Sequence, residues 1–210
     1  MTTTMTQVAT TTTRGMWPAG CRVMVTGHRD IRGPQEDVLR PVIIRILESL
    51  RARHPEGLVG VSGMAVGADT LFNESLFALG IPLVAALPVA NQDSIWPQHA
   101  RVKYREHLAR AAMIVNVWEL PEYAASTFSA QMHARNYWML DQVATGDGVV
   151  LALWDGREVG GTWAAVSAAL RRDRRVLVLD PRTAVSRVIR PPIKRETGVF
   201  ELFGHKSSND

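Results

Sequence analysis

Six short apolar runs, each separated from the next by a segment of helical period, constrain this chain more than any other feature. Arg22-Val23-Met24-Val25-Thr26 leads to Gly27, Leu58-Val59-Gly60-Val61-Ser62 leads to Gly63, and Pro82-Leu83-Val84-Ala85-Ala86-Leu87 leads to Pro88. Residues 112–118, 148–154 and 175–180 repeat the pattern. The runs are continuous rather than alternating, the form taken by strands that are covered on both faces. Between the first two, Val38, Val42, Ile46 and Leu50 recur at every fourth position, predicting a helix over 34–53. Further helices are expected over 68–79, 99–112, 126–144 and 162–172. Strand and helix alternate throughout. That order specifies an α/β, Rossmann-like doubly wound fold, a mainly parallel sheet with helices on both faces.

A length of 210 residues suits one domain. The expected division is a disordered lead over 1–20, the Rossmann-like domain over 21–181, and a basic, loosely ordered tail over 182–210. The lead, MTTTMTQVATTTTRG, lacks the basic start and apolar stretch of a secretory signal. No run approaches the ~18 consecutive apolar residues of a membrane span. The reading is therefore a cytoplasmic protein with no membrane partner. Cys21, the single cysteine, excludes an internal disulfide and a cysteine-based zinc site. The histidines show no ligand spacing, so no metal is expected, and nothing in the chain calls for a resident cofactor.

The net charge of +4 raises the question of nucleic acid, and its distribution argues against it. Residues 1–170 carry 14 basic and 15 acidic side chains, a net of −1; residues 171–210 carry 10 and 5, a net of +5. A nucleic-acid-binding domain shows its basic stripe on the folded body. Here the excess sits at the end of the chain.

Ligands of open α/β sheets bind beyond the carboxyl ends of the strands. After the first run stand Thr26, Gly27, His28 and Arg29. After the second stand Ser62, Gly63, Gly67 and Asp69. After the fifth come Gly160, Gly161 and Thr162, opening a helix. Glycine lets backbone approach a phosphate closely, and free N–H groups at a helix start point toward it. Thr26, Ser62 and Thr162 supply hydroxyls; Arg29 and Arg135 supply charge and a planar donor fork. Three such loops at one edge point to a phosphate-bearing ligand. The chain has no GxxxxGK[ST] loop and no GxGxxG, which excludes an ordinary P-loop nucleotidase and leaves a standard nicotinamide dehydrogenase without support.

Thr26-Gly27-His28-Arg29 and Ser62-Gly63-Met64-Ala65-Val66-Gly67-Ala68-Asp69 resemble motifs of the SLOG superfamily, which joins the Smf/DprA proteins to the LOG-type phosphoribohydrolases. The TGHR start and the pair Arg135-Asn136 are most similar to its YpsA-like branch. Met132-His133-Ala134-Arg135 resembles an M-H-x-R stretch of the LOG enzymes, and Gly160-Gly161-Thr162 falls where the superfamily carries its second glycine motif. The resemblance runs from about Arg22 to Asp180. It implies a Rossmann-like sheet that binds nucleotides or nucleotide-derived ligands, ADP-ribose-like or nicotinamide-derived ones among them, often as a homodimer.

One departure bears on catalysis. The LOG signature resembles GGxGTxxE and uses its glutamate; here the position three after Thr162 is Ala165, and no carboxylate follows until Asp173. Glycosidic cleavage needs a carboxylate to stabilise the oxocarbenium-like centre or to activate water. Asp69, Asp155 and Glu158 are the available substitutes, and each also has an ordinary structural use. The expectation is thus a SLOG-type ligand sensor or binding module without fast catalysis. The alternatives are a nucleotide N-glycosidase with a non-standard carboxylate and a DprA-like single-stranded DNA binder. Phe128, Met132, Met139 and Leu140 form an apolar stripe that suits either a homodimer interface or cover for the sheet. Trp154 and Trp163 flank the glycine motif and suit either stacking on a base or packing.

Overall fold

The computed structural model describes residues 17–144 and 147–190. Seven strands form one sheet: β1 (Cys21–Gly27), β2 (Leu58–Ser62), β3 (Leu83–Leu87), β4 (Met113–Asn116), β5 (Val149–Leu153), β6 (Arg175–Leu179) and β7 (Ser186–Ile189). Their order across the sheet is β4-β3-β2-β1-β5-β6-β7. Every pairing is parallel except β6 with β7. The helices are α1 (Pro34–Arg53), α2 (Ala68–Ala78), α3 (Gln98–Arg110), α4 (Phe128–Gln142) and α5 (Gly160–Arg171). The expected Rossmann-like doubly wound α/β fold is what the chain adopts.

The two faces of the sheet build two cores. Val23 and Val25 of β1 face one way, where Leu39, Ile43 and Leu47 of α1 and Leu71, Phe72 and Leu76 of α2 cover them. Met24 faces the other way, into a core closed by Trp138, Met139 and Leu140 of α4 and by Val166, Ala168 and Ala169 of α5. Alternate residues of one strand thus enter different cores, so neighbouring central positions are apolar alike, and the run reads as continuous. Because α1, α2 and α3 lie on one face and α4 and α5 on the other, the winding reverses between β1 and β5.

Three details differ from the sequence reading. The run over 112–118 is a strand only to Asn116; Val117–Glu119 turns into a 3₁₀ helix. The tail expected from 182 contributes β7, an antiparallel edge strand that places Arg187 opposite Val178. Its four residues are mostly exposed, so they carry no apolar pattern to read. At the other end, Trp17, within the expected lead, stacks on Trp138 of α4 with ring centroids 5.7 Å apart. The remainder of both expected terminal segments, 1–16 and 191–210, lies outside the described residues. Among the described residues no helix is long and apolar enough to cross a membrane.

Candidate functional site

A cavity of about 630 Å³ opens where the winding reverses, between the end of β1 and the start of α5, the helix that follows β5. This is the place where open α/β sheets hold ligands. Of the thirteen residues singled out in the sequence, ten line it: Thr26 to Arg29 from the end of β1, Asp69 from α2, Arg135 and Asn136 from α4, and Gly160 to Thr162 from α5. Ser62, Gly63 and Gly67 do not.

Arg135 and Asp69 set the charge of the cavity. Arg135 is 6% exposed and Asp69 7% exposed. Burial pushes the Asp69 carboxyl up; the charge of Arg135 is the strongest influence opposing it, followed by the hydrogen bond from the Ala65 N–H. Burial likewise lowers the pKa of the Arg135 guanidinium, against the pull of Asp69. Arg135 Nη1 donates to the Gly63 carbonyl, while its Nε is buried with no hydrogen-bond partner among the described residues. A buried charge with an unmet donor is costly, by about 1–3 kcal/mol or more. Arg29 adds a second guanidinium. It is exposed and makes no hydrogen bond or ion pair with any described residue.

The loop after β2 holds this arrangement without touching the cavity, apart from Ala65. Ser62 Oγ accepts the Met64 N–H at 3.1 Å, and Asp69 Oδ2 accepts the Ala65 N–H at 3.1 Å. Met64 takes a left-handed φ of 60°. Its carbonyl accepts from the buried Gln92 Nε2 at 3.2 Å. Ser62, Gly63 and Gly67, expected at the ligand, do not line the cavity, and the contacts they make are with the chain itself. A Cβ on Gly63 would overlap the Arg135 guanidinium. Gly67 has φ +80°, and a Cβ there would stand 2.6 Å from the His28 carbonyl oxygen and 2.7 Å from Arg29 backbone. At both glycines the group that a Cβ would meet is protein.

The start of α5 behaves differently. A Cβ on Gly160 or Gly161 would meet nothing within 4 Å. Gly160 needs its freedom for a φ of +77°, whereas Gly161 has no such conformational reason and faces open space. Val159, the N-cap, is extended and offers no side-chain cap. The first N–H groups of α5 are therefore available at the cavity, where they favour an anion.

His28 ties β1 to the loop after β5. Its Nε2 accepts the Asp155 N–H at 3.2 Å and lies 3.1 Å from Asp155 Oδ1, to which it donates when protonated. Asp155 and Glu158 do not line the cavity, so Asp69 is the one carboxylate among its lining residues. Ala165 is buried within α5, at 2% exposure. Trp154 and Trp163 stack on each other, with centroids 5.5 Å apart, and neither lines the cavity. The apolar stripe of α4 divides: Leu140 is buried against the sheet, Met139 is buried and also reaches the cavity wall, and Phe128, 61% exposed, and Met132 form the cavity's apolar side. Ser129 and His133 complete that side. The M-H-x-R stretch was the sequence signal for His133; Gln92 sits in a loop with no pattern to mark it.

No family model and no curated protein matches this chain. Solved structures do. DNA processing protein A (DprA) from Streptococcus pneumoniae superposes with a TM-score of 0.53 at 19% identity, covering 76% of this chain and 50% of that one. DprA from Helicobacter pylori, described with a single-stranded DNA binding mode, gives a TM-score of 0.53 at 19% identity over 76% of this chain and 65% of its own. This chain therefore shares the Rossmann-like α/β fold of the DprA proteins and spans half to about two-thirds of their length. At this identity the likeness concerns the fold.

Proposed function

We propose that this chain is a SLOG-type protein of the YpsA-like branch that binds a nucleotide or nucleotide-derived ligand, ADP-ribose-like or nicotinamide-derived, in the cavity between β1 and α5. The observation that carries the reading is Arg135: a buried guanidinium on the cavity wall whose Nε lacks a partner, beside the uncapped start of α5. A phosphate would satisfy both, accepting from the guanidinium and from the N–H groups of Gly161 and Thr162. Thr26, Asn136 and Arg29 stand around the same space for ribose or further phosphate oxygens. Phe128 and Met132 offer an apolar surface for a base.

The ligand is held rather than cleaved. Asp69 is already engaged by the Ala65 N–H and by the charge of Arg135, which is the work of a structural carboxylate. Losing a positioned acid or base typically slows a reaction by ~10²–10⁴. Calorimetry over nucleoside monophosphates and ADP-ribose, run beside a chromatographic assay for free base, tests the reading. Binding without base release supports it. Brisk release would make the chain an N-glycosidase with Asp69 as its carboxylate, and absence of binding across the panel would overturn both readings.

The H. pylori DprA description gives single-stranded DNA as a second reading, favoured here by the exposed Arg29 of the cavity lining, which makes no ion pair with a described residue. It requires oligothymidylate binding whose affinity falls steeply with salt. The protein is proposed to act in the cytoplasm as a homodimer through the exposed Phe128, Tyr137 and Val159 around α4 and α5. A monomer mass in sedimentation at high concentration would exclude the dimer.

A further inference from the structure

A second cavity, of about 330 Å³, lies on the other side of the loop after β2, between the β1–α1 connection, α2 and α3. Ala65 lines the first cavity; Met64, Val66 and Gly67 line the second. Much of the wall is apolar or aromatic, and Thr70, His99 and His107 also border the space. Of the lining residues, Ile31 and Met64 are buried, and Trp96 meets Tyr104 edge to face, with centroids 5.4 Å apart and planes at 82°. Such walls accept a flat ring.

Asn73, only 1% exposed, is the polar group of this cavity that the fold leaves unmatched. Its Nδ2 donates to the Met64 sulfur at 3.2 Å, and its Oδ1 has no hydrogen-bond partner among the described residues. A sulfur is a weak acceptor, and a buried carbonyl without a donor is among the less favourable arrangements a core tolerates. Exchanging the amide's two ends would only transfer the deficit. At the mouth, Arg29 and Arg32 are exposed and make no hydrogen bond or ion pair with described residues, whereas Lys103 is already held by Glu74 at 2.7 Å and Glu36 lies 3.9 Å from Arg40.

We propose that this cavity is a second binding site, for a planar ring that carries an N–H donor and a carboxylate or phosphate. The ring lies between Ile31 and Trp96, its N–H donates to Asn73 Oδ1, and its anionic group meets Arg29 and Arg32. The proposal does not depend on the ligand of the first cavity, although Arg29 borders both.

Calorimetry with three probes tests it on the full chain: indole-3-carboxylate, its 1-methyl derivative, which lacks the N–H, and indole, which lacks the anion. The parent probe is expected to bind, with each of the others about tenfold weaker, the loss that one hydrogen bond or charge contact produces. Asn73→Leu should bind the parent and the 1-methyl derivative equally well and should leave AMP binding as it is. Gly161→Val, which intrudes on the first cavity alone, should leave the indole-3-carboxylate affinity unchanged. If Asn73→Leu does not fold, Trp96→Ala decides, and it should weaken all three probes. Failure of the parent probe to bind would overturn the proposal. So would an N–H preference that persists in Asn73→Leu, probe affinities untouched by Trp96→Ala, or probe binding lost in Gly161→Val.

Discussion

The Nη1 of Arg135 donates to the carbonyl of Gly63, and a side chain on Gly63 would occupy the space of that same guanidinium. The two residues belong to different elements, the loop after β2 and α4, and each explains the identity of the other. Gly63→Ala is expected to destabilise the protein by about 1–3 kcal/mol, the usual consequence of overpacking. In an Arg135→Ala background the clash is gone, so the same substitution should have a much smaller effect. Urea denaturation of the four proteins of this double-mutant cycle measures the coupling. Equal effects in both backgrounds would show that Gly63 is glycine for some other reason.

Gly67 and Gly161 should respond in opposite ways to the same replacement. Gly67→Val places a side chain against the backbone of His28 and Arg29 at a φ of +80°, so its main effect is lower stability, again about 1–3 kcal/mol. Gly161→Val meets no protein atom within 4 Å from its Cβ, so the protein should keep its fold and lose affinity for AMP. Melting curves and calorimetry on both variants separate the two effects. A Gly161→Val protein that binds AMP normally removes the start of α5 from the site.

Acid should loosen the contact between α2 and α3. Burial raises the Glu74 carboxyl, but hydrogen bonds from Lys103 and Arg40, each at 2.7 Å, outweigh it and hold the pKa below its ordinary 4.5. A depressed folded-state pKa stabilises above the unfolded value and is lost as pH falls through the folded one. Burial also lowers the pKa of His107 from 6.5, against the pull of Glu74 3.9 Å away. With the folded-state pKa lowered, stability falls as pH drops below 6.5, where the unfolded chain takes up the proton more readily than the fold. Because the ion pairs are partly exposed, Glu74→Gln should destabilise by only ~1 kcal/mol at pH 7, and by less at pH 4, where proton uptake by the unfolded chain has already removed part of that contribution. Denaturant midpoints of wild type and variant across that range provide the check; a constant difference would contradict the assignment to Glu74.

The parallel strands were legible because burial on both faces leaves an unmistakable apolar run, as Val23, Met24 and Val25 illustrate by entering two different cores. β7 was not legible, because an exposed four-residue edge strand is under no such constraint. The edge of the sheet that carries the cavity was legible too, through Thr26, Gly27, Arg135 and the Gly160-Gly161-Thr162 turn. What the sequence could not separate was the reason for each glycine. Close approach by a ligand and close approach by the chain demand the same residue, and only the fold shows that Gly63 and Gly67 face protein while Gly161 faces open space. Gln92, which braces the Met64 carbonyl from a loop, left no periodic or motif signal at all.

The central claim is that a phosphate completes the cavity by meeting Arg135 and the start of α5. Its most direct test is calorimetric titration of the protein with AMP and with adenosine, which differ only in that group. A charged hydrogen bond from arginine to phosphate contributes roughly 1.5–3 kcal/mol, so AMP should bind at least tenfold more tightly, and Arg135→Ala should remove most of that preference. Equal affinities for the two compounds, or a phosphate preference that survives in Arg135→Ala, would contradict the account.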